Sequence, residues 1–137
     1  MNIVLDANIV IAALMGSRGT LTILTSRNHH FYAPSRILAE IWKYKKDICE
    51  KSCRTSEEFD DNFAALLVFV DVLNYIEYEQ FMEEARIAIS ARDWKDADYI
   101  ACAIAVSANF IWTNDKDFSS QNIVLARTTQ EFIDEDK

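Results

Sequence analysis

Short apolar runs that stop at an acid or a proline, separated by stretches of helical periodicity, constrain this chain more than any other feature. Ile3-Val4-Leu5 is a β-rich run ending at Asp6, and residues 9–14 that follow are apolar enough for a buried helix. Residues 30–33 read as a short strand that Pro34 ends, residues 110–113 (FIWT) as a buried strand, and residues 123–125 as another. Strands that are apolar on both sides and alternate with helices pair in parallel and require helices on both faces. The expectation is an α/β fold, a three-layer α/β/α sandwich with a mainly parallel central sheet. With 137 residues, half of them apolar, the chain fills one core, so residues 1–137 are expected to form a single domain. Only 2 Gly and 1 Pro argue against an all-β fold rich in tight turns and against disorder.

Helical spacing of Ile37, Leu38, Ile41, Trp42 and Ile48 predicts one helix over 36–53, with Ser35 as its cap and Trp42 in the core. A second helix is expected from Ser56 through the apolar run 63–72, broken by Asn74 and followed by a strand at 73–76. Residues 79–91 read as helix, 92–95 as a loop with Asp93 a loop acid, 97–108 as a helix capped by Asp96, and 128–133 as a last helix. Residues 20–26 fit helix or strand equally. Apolar continuity over 64–70 exceeds what one amphipathic face needs, so this segment is either buried within the monomer or covered by another chain.

A net charge of −8 disfavours general cationic attraction to nucleic acid, so any such role must be local. The stretch 36–54 carries six Lys and Arg against three acids, and its Lys43, Lys45 and Lys46 are candidates to track an RNA backbone; an ordinary solvated face is the plainer alternative. Trp42 and Tyr44 are candidate base-stacking rings, although Trp42, next to Ile41 on the apolar stripe, reads more readily as core. Cys49, Cys53 and Cys102 are odd in number and lack metal-ligand partners, which favours a reducing, cytoplasmic setting. The N-terminal stretch contains Asp6, has no basic region before it and is too short to span a bilayer, so neither a signal peptide nor a membrane role is expected. His29 and His30 are adjacent, point to opposite faces and read as surface. The acids 134–136 read as a frayed end.

In open parallel sheets ligands bind at the carboxyl ends of the strands. Asp6 and Asp115 both follow strands there, and Asp96, at the start of a helix feeding the sheet, points to the same edge. Glu40 borders the inward face of its helix and can reach that edge. Four converging carboxylates repel unless a cation sits among them, and Mg²⁺ or Mn²⁺ suits an all-oxygen set. Such a site is suited to phosphodiester hydrolysis through an activated water. Taken singly, each acid is more readily a helix cap or a solvated end than a catalytic group.

The same residues carry a resemblance to the PIN-domain family, which includes the VapC toxins. It rests on Ile3-Val4-Leu5-Asp6-Ala7-Asn8, on Tyr32-Ala33-Pro34-Ser35 with Glu40 following, on the segment from Arg92 to Ala103, and on Trp112-Thr113-Asn114-Asp115-Lys116-Asp117-Phe118, in that order along nearly the whole chain. The resemblance implies a metal-dependent endoribonuclease that cuts single-stranded or loop RNA. Carried over, Asp6, Glu40, Asp96 and Asp115 are the acidic quartet, with Asn8 and Thr113 supporting them. The third acid aligns to Asp96 or Asp98; Asp96 places Ala101 and Ala103 where the family has small residues. Asp117 is either an extra ligand or a turn cap. A small inhibitory antitoxin and a homodimer through the 64–70 helix are further implications. The rival reading is an inactive PIN-fold module for RNA binding or assembly.

Overall fold

The computed structural model describes residues 1–89, 94–115, 118, 121 and 123–135. Strand β1 (Asn2–Leu5) leads into α1 (Ala7–Leu14) and α2 (Arg18–Thr25), then β2 (His30–Pro34). Next come α3 (Arg36–Lys43), α4 (Lys45–Ser52), α5 (Ser56–Leu67) and β3 (Val70–Leu73). A short α6 (Tyr75–Tyr78) and a 3-10 turn precede α7 (Met82–Ile89). A second 3-10 turn, Trp94–Asp96, starts α8 (Ala97–Ala105), followed by β4 (Phe110–Trp112), β5 (Ala126–Arg127) and α9 (Thr129–Glu135).

Among the described residues five strands form one sheet in the order β3-β2-β1-β4-β5, and every pairing is parallel. From β1 the chain steps outward to β2 and β3, then returns across β1 to β4. Right-handed crossovers taken in opposite directions put their helices on opposite faces of the sheet. Register aligns Ile3 with Phe31 and Phe110, and Leu5 with Trp112, so these side chains share one face. On that face Phe132 of α9 packs edge-on against Phe110 and Trp112, at 5.2 and 5.1 Å between ring centres. The indole of Trp112, fully buried, donates from Nε1 to Thr129 Oγ1 at 3.0 Å, which satisfies its one polar atom. Helix α8 packs against β1, β2 and β4 with Ala97, Ala101 and Ala103 buried, small side chains that let helix and sheet approach closely.

Several expectations change. The helix expected over 36–53 is two, α3 and α4, interrupted at Tyr44 (φ −97°, ψ 6°) and ended by Cys53 in the left-handed region (φ 56°). Ser35 makes no side-chain capping bond to α3. Trp42 is 56% exposed rather than in the core: Ile37 and Ile41 form the buried stripe and Trp42 lies a hundred degrees round the helix from Ile41. The run 63–72 is not one helix. Helix α5, capped by Thr55 through a capping box with Glu58, stops at Leu67, and Val70–Leu73 turns into edge strand β3, where β-branched Val70 and Val72 suit an extended chain. The strand expected at 123–125 lies three residues later as β5, and residues 20–26 fall mostly within helix α2. His29 is half-buried against Phe31 and Phe132, whereas His30 is exposed. Asp93, Asp117 and Asp136 lie outside the described residues. Among the described residues no single helix is long and apolar enough to cross a membrane.

Candidate active site

The strand order reverses between β1 and β4, and in an open parallel sheet that crevice at the carboxyl ends is where ligands bind. Asp6 follows β1 directly and Asp115 follows β4. The Asp6 N–H donates to Trp112 O at 3.0 Å, extending the β1–β4 pairing into the crevice. A cavity of about 340 Å³ opens here, and Asp6, Glu40, Asp96 and Asp115 all line it together with Asn8, Lys43 and Lys95.

Asp6 is tightly held. Its Oδ1 accepts from Ala7 N at 2.7 Å, capping α1, and its Oδ2 accepts from Thr113 Oγ1 at 2.7 Å. The Thr113 hydroxyl in turn accepts from Asp115 N at 2.9 Å and from Asn8 Nδ2 at 3.4 Å. One hydroxyl therefore fixes the spacing of the two strand-end acids. Burial pushes the Asp6 carboxyl up to about 6; the bonds from Thr113 and Ala7 pull it down, and the charges of Glu40 and Asp115 push it up further.

Glu40 reaches the cavity from α3. Arg36 Nε donates to its Oε1 at 3.1 Å, one helical turn away, and Tyr99 Oη donates to its Oε2 at 3.1 Å. Burial, with the charges of Glu40 and Asp6 next, raises the Tyr99 hydroxyl far above the ordinary phenol range, so it stays a donor. Asp96 occupies the cap position of α8 with helical backbone angles and makes no capping bond, contrary to expectation; its buried carboxylate borders the cavity instead.

Asp98 faces elsewhere. Its Oδ2 accepts from Tyr78 Oη at 2.7 Å and its Oδ1 lies 3.5 Å from Arg36 Nη1, so it anchors the arginine that holds Glu40. Of the three expected basic residues, Lys43 lines the cavity, whereas Lys45 pairs with Asp60 at 2.8 Å and sits over the Trp42 ring, and Lys46 is exposed outside the cavity wall. Sequence reasoning missed Tyr99, Arg36 as a clamp, and Lys95. Tyr99 lies three residues after Asp96 on the same helix, a spacing that puts both on one side and was the available signal.

The donor set is carboxylate oxygen backed by hydroxyl and amide groups, which fits a hard divalent cation rather than a soft one. Among the described residues no three His, Cys, Asp or Glu side chains stand close enough together to hold an ion as they are.

The class these features define is a parallel α/β sandwich whose strand-end acids line one cavity at the switch point. The family profile described as PIN domain matches residues 4–133. The chain belongs to the PIN-domain family. A chain of VapBC2 from Rickettsia felis, in a crystal structure bound to a DNA fragment from their promoter, superposes with a TM-score of 0.73 at 18% identity. That match covers 93% of this chain and 98% of the other, and at this identity it is a likeness of fold. Comparison with curated protein sequences gives no match.

Proposed function

We propose that this chain is a divalent-metal-dependent endoribonuclease, a single PIN domain acting as the toxin of a toxin–antitoxin pair. The observation that carries this reading is the convergence of Asp6, Glu40, Asp96 and Asp115 on one cavity at the switch point of the sheet. These four residues would hold Mg²⁺ or Mn²⁺. The ion, when bound, supplies Lewis-acid polarisation of a phosphodiester oxygen and eases deprotonation of water.

The remaining work falls to the chain. Thr113 keeps Asp6 and Asp115 at fixed separation, and Asn8 holds the Thr113 hydroxyl in place. Arg36 and Tyr99 each bind one oxygen of Glu40, so its carboxylate cannot rotate freely. Asp98 acts behind Arg36 rather than as the third acid. Lys43 and Lys95 lend the acidic cavity a cationic rim for an RNA phosphate, which a chain of net charge −8 lacks in general. The partners that go with this reading are an RNA substrate, a small antitoxin and a second copy of the chain in the cytoplasm; Val68, 76% exposed beyond α5, supports the last contact.

A second reading, an inactive RNA-binding or assembly module, is favoured by the separation of the acids. Cleavage of a mixed-structure RNA in Mn²⁺ separates the two. The nuclease reading expects cutting by wild type that EDTA and Asp6→Asn each abolish. Equal inertness of both proteins, with no change in melting temperature on adding Mn²⁺, would overturn it.

A further inference from the structure

Beside the acidic cavity lies a second one of about 270 Å³, walled by Ile11, Met15, Tyr44, Asp47, Ile48 and Lys51. Ile11 and Tyr44 also line the acidic cavity, so the two are adjacent and share a wall. Tyr44 is the residue at which α3 gives way to α4, its backbone belongs to neither helix, and its side chain is 43% exposed. An aromatic ring held in water between an apolar recess and a phosphate-competent cleft has the attributes of a stacking platform. Ile11, Met15 and Ile48 supply an apolar wall, and Lys51 places a cation at its edge.

We infer that this second cavity is a nucleobase subsite, which seats the base of the nucleotide flanking the scissile phosphate of a single-stranded RNA against Tyr44. The inference rests on the nuclease reading of the adjacent acids. Charge complementarity selects this occupant: Lys43, its Nζ 5.7 Å from the centre of the Tyr44 ring, lines the acidic cavity, and Lys51, beside Asp47, lines the apolar one, so each cavity has a cation to meet a phosphate of the same strand. Stacking engages any base by its face, so the subsite sets the position of the cut more than its sequence, and a paired base within a duplex cannot enter.

The test is titration of wild type, Tyr44→Phe and Tyr44→Ala into an RNA hexamer carrying 2-aminopurine, with Ca²⁺ present, alongside Mn²⁺-dependent cleavage of the same hexamer. Wild type and Tyr44→Phe are expected to quench the probe; Tyr44→Ala is expected to lose the quench and bind about tenfold more weakly or worse. Lys51→Ala is expected to weaken binding while the quench at saturation persists, and a duplex of the same sequence should not quench. If Tyr44→Ala quenches and binds like wild type while wild type cleaves, the subsite is overturned and the nuclease reading stands. If wild type neither binds nor cleaves, both fall together.

Discussion

The Thr113 hydroxyl donates to Asp6 Oδ2 at 2.7 Å across 107 positions of sequence, and Thr113 Oγ1 itself accepts from the backbone N–H of Asp115. This single group joins the ends of the two parallel strands, β1 and β4, between which the strand order reverses.

Thr113→Val keeps the β-branched shape and removes both bonds. The Oδ2 of the buried Asp6 carboxylate then loses its donor while Oδ1 keeps Ala7 N, and the Asp115 N–H loses its bond to the hydroxyl, at a cost of about 1–3 kcal/mol in unfolding free energy. Mn²⁺ affinity should fall about tenfold or more, because a ligand loses its outer hydrogen bond. Thr113→Ser should retain both stability and affinity; urea unfolding and isothermal titration check the pair.

The elevated Asp6 carboxyl makes metal-free stability depend on pH. Asp6 holds its proton to about pH 6 when folded but only to the ordinary aspartate value of 3.8 when unfolded. Between these limits the folded state binds more protons than the unfolded one, so its contribution to stability falls as pH rises, by about 3 kcal/mol in total. Urea unfolding in EDTA should show wild type losing ground to Asp6→Asn from pH 4 to 7. Mn²⁺ should bind with the opposite trend, tighter as pH passes 6, since a cation competes with the proton.

Bound Mn²⁺ should raise the melting temperature of wild type. At a hundredfold excess over its dissociation constant the gain is about 2.7 kcal/mol, which for a domain of this size is several degrees. Asp96→Asn should abolish the gain, as should Asp6→Asn. Differential scanning calorimetry with and without EDTA reads the difference directly.

Asp96 and Asp98 should separate cleanly. Asp98→Ala leaves the buried Tyr78 hydroxyl without its acceptor and Arg36 without one of its carboxylates, so it should destabilise by about 1–3 kcal/mol while retaining part of the cleavage activity. Asp96→Ala should abolish cleavage with a smaller effect on stability. Cleavage assays paired with urea midpoints distinguish the two patterns.

The central strands were readable because Ile3-Val4-Leu5 and Phe110-Ile111-Trp112 are buried on both faces, and such runs carry no competing helical period. The break at Tyr44 was hidden. Ile41 and Ile48 are seven residues apart, a spacing that keeps one helical stripe in phase whether or not the helix is continuous. Strand β3 was hidden for another reason: apolar residues run unbroken from the end of α5 into the sheet, and periodicity cannot mark a boundary that composition does not change. At the cavity, Asp6 and Asp115 followed from their places at strand ends. The Arg36–Glu40–Tyr99 chain did not, since its bond across 59 positions depends on how α8 crosses the sheet.

Because β4 slots against β1 only after the chain has travelled out through β2 and β3 and back, the middle of the sheet is completed late in synthesis. A nascent chain ending before Phe110 would leave β1 with one bare edge, open to pairing with any other extended segment. It would also lack Thr113 and Asp115, so emergence from the ribosome delivers the strand that closes the sheet and the groups that gather the acids in the same few residues.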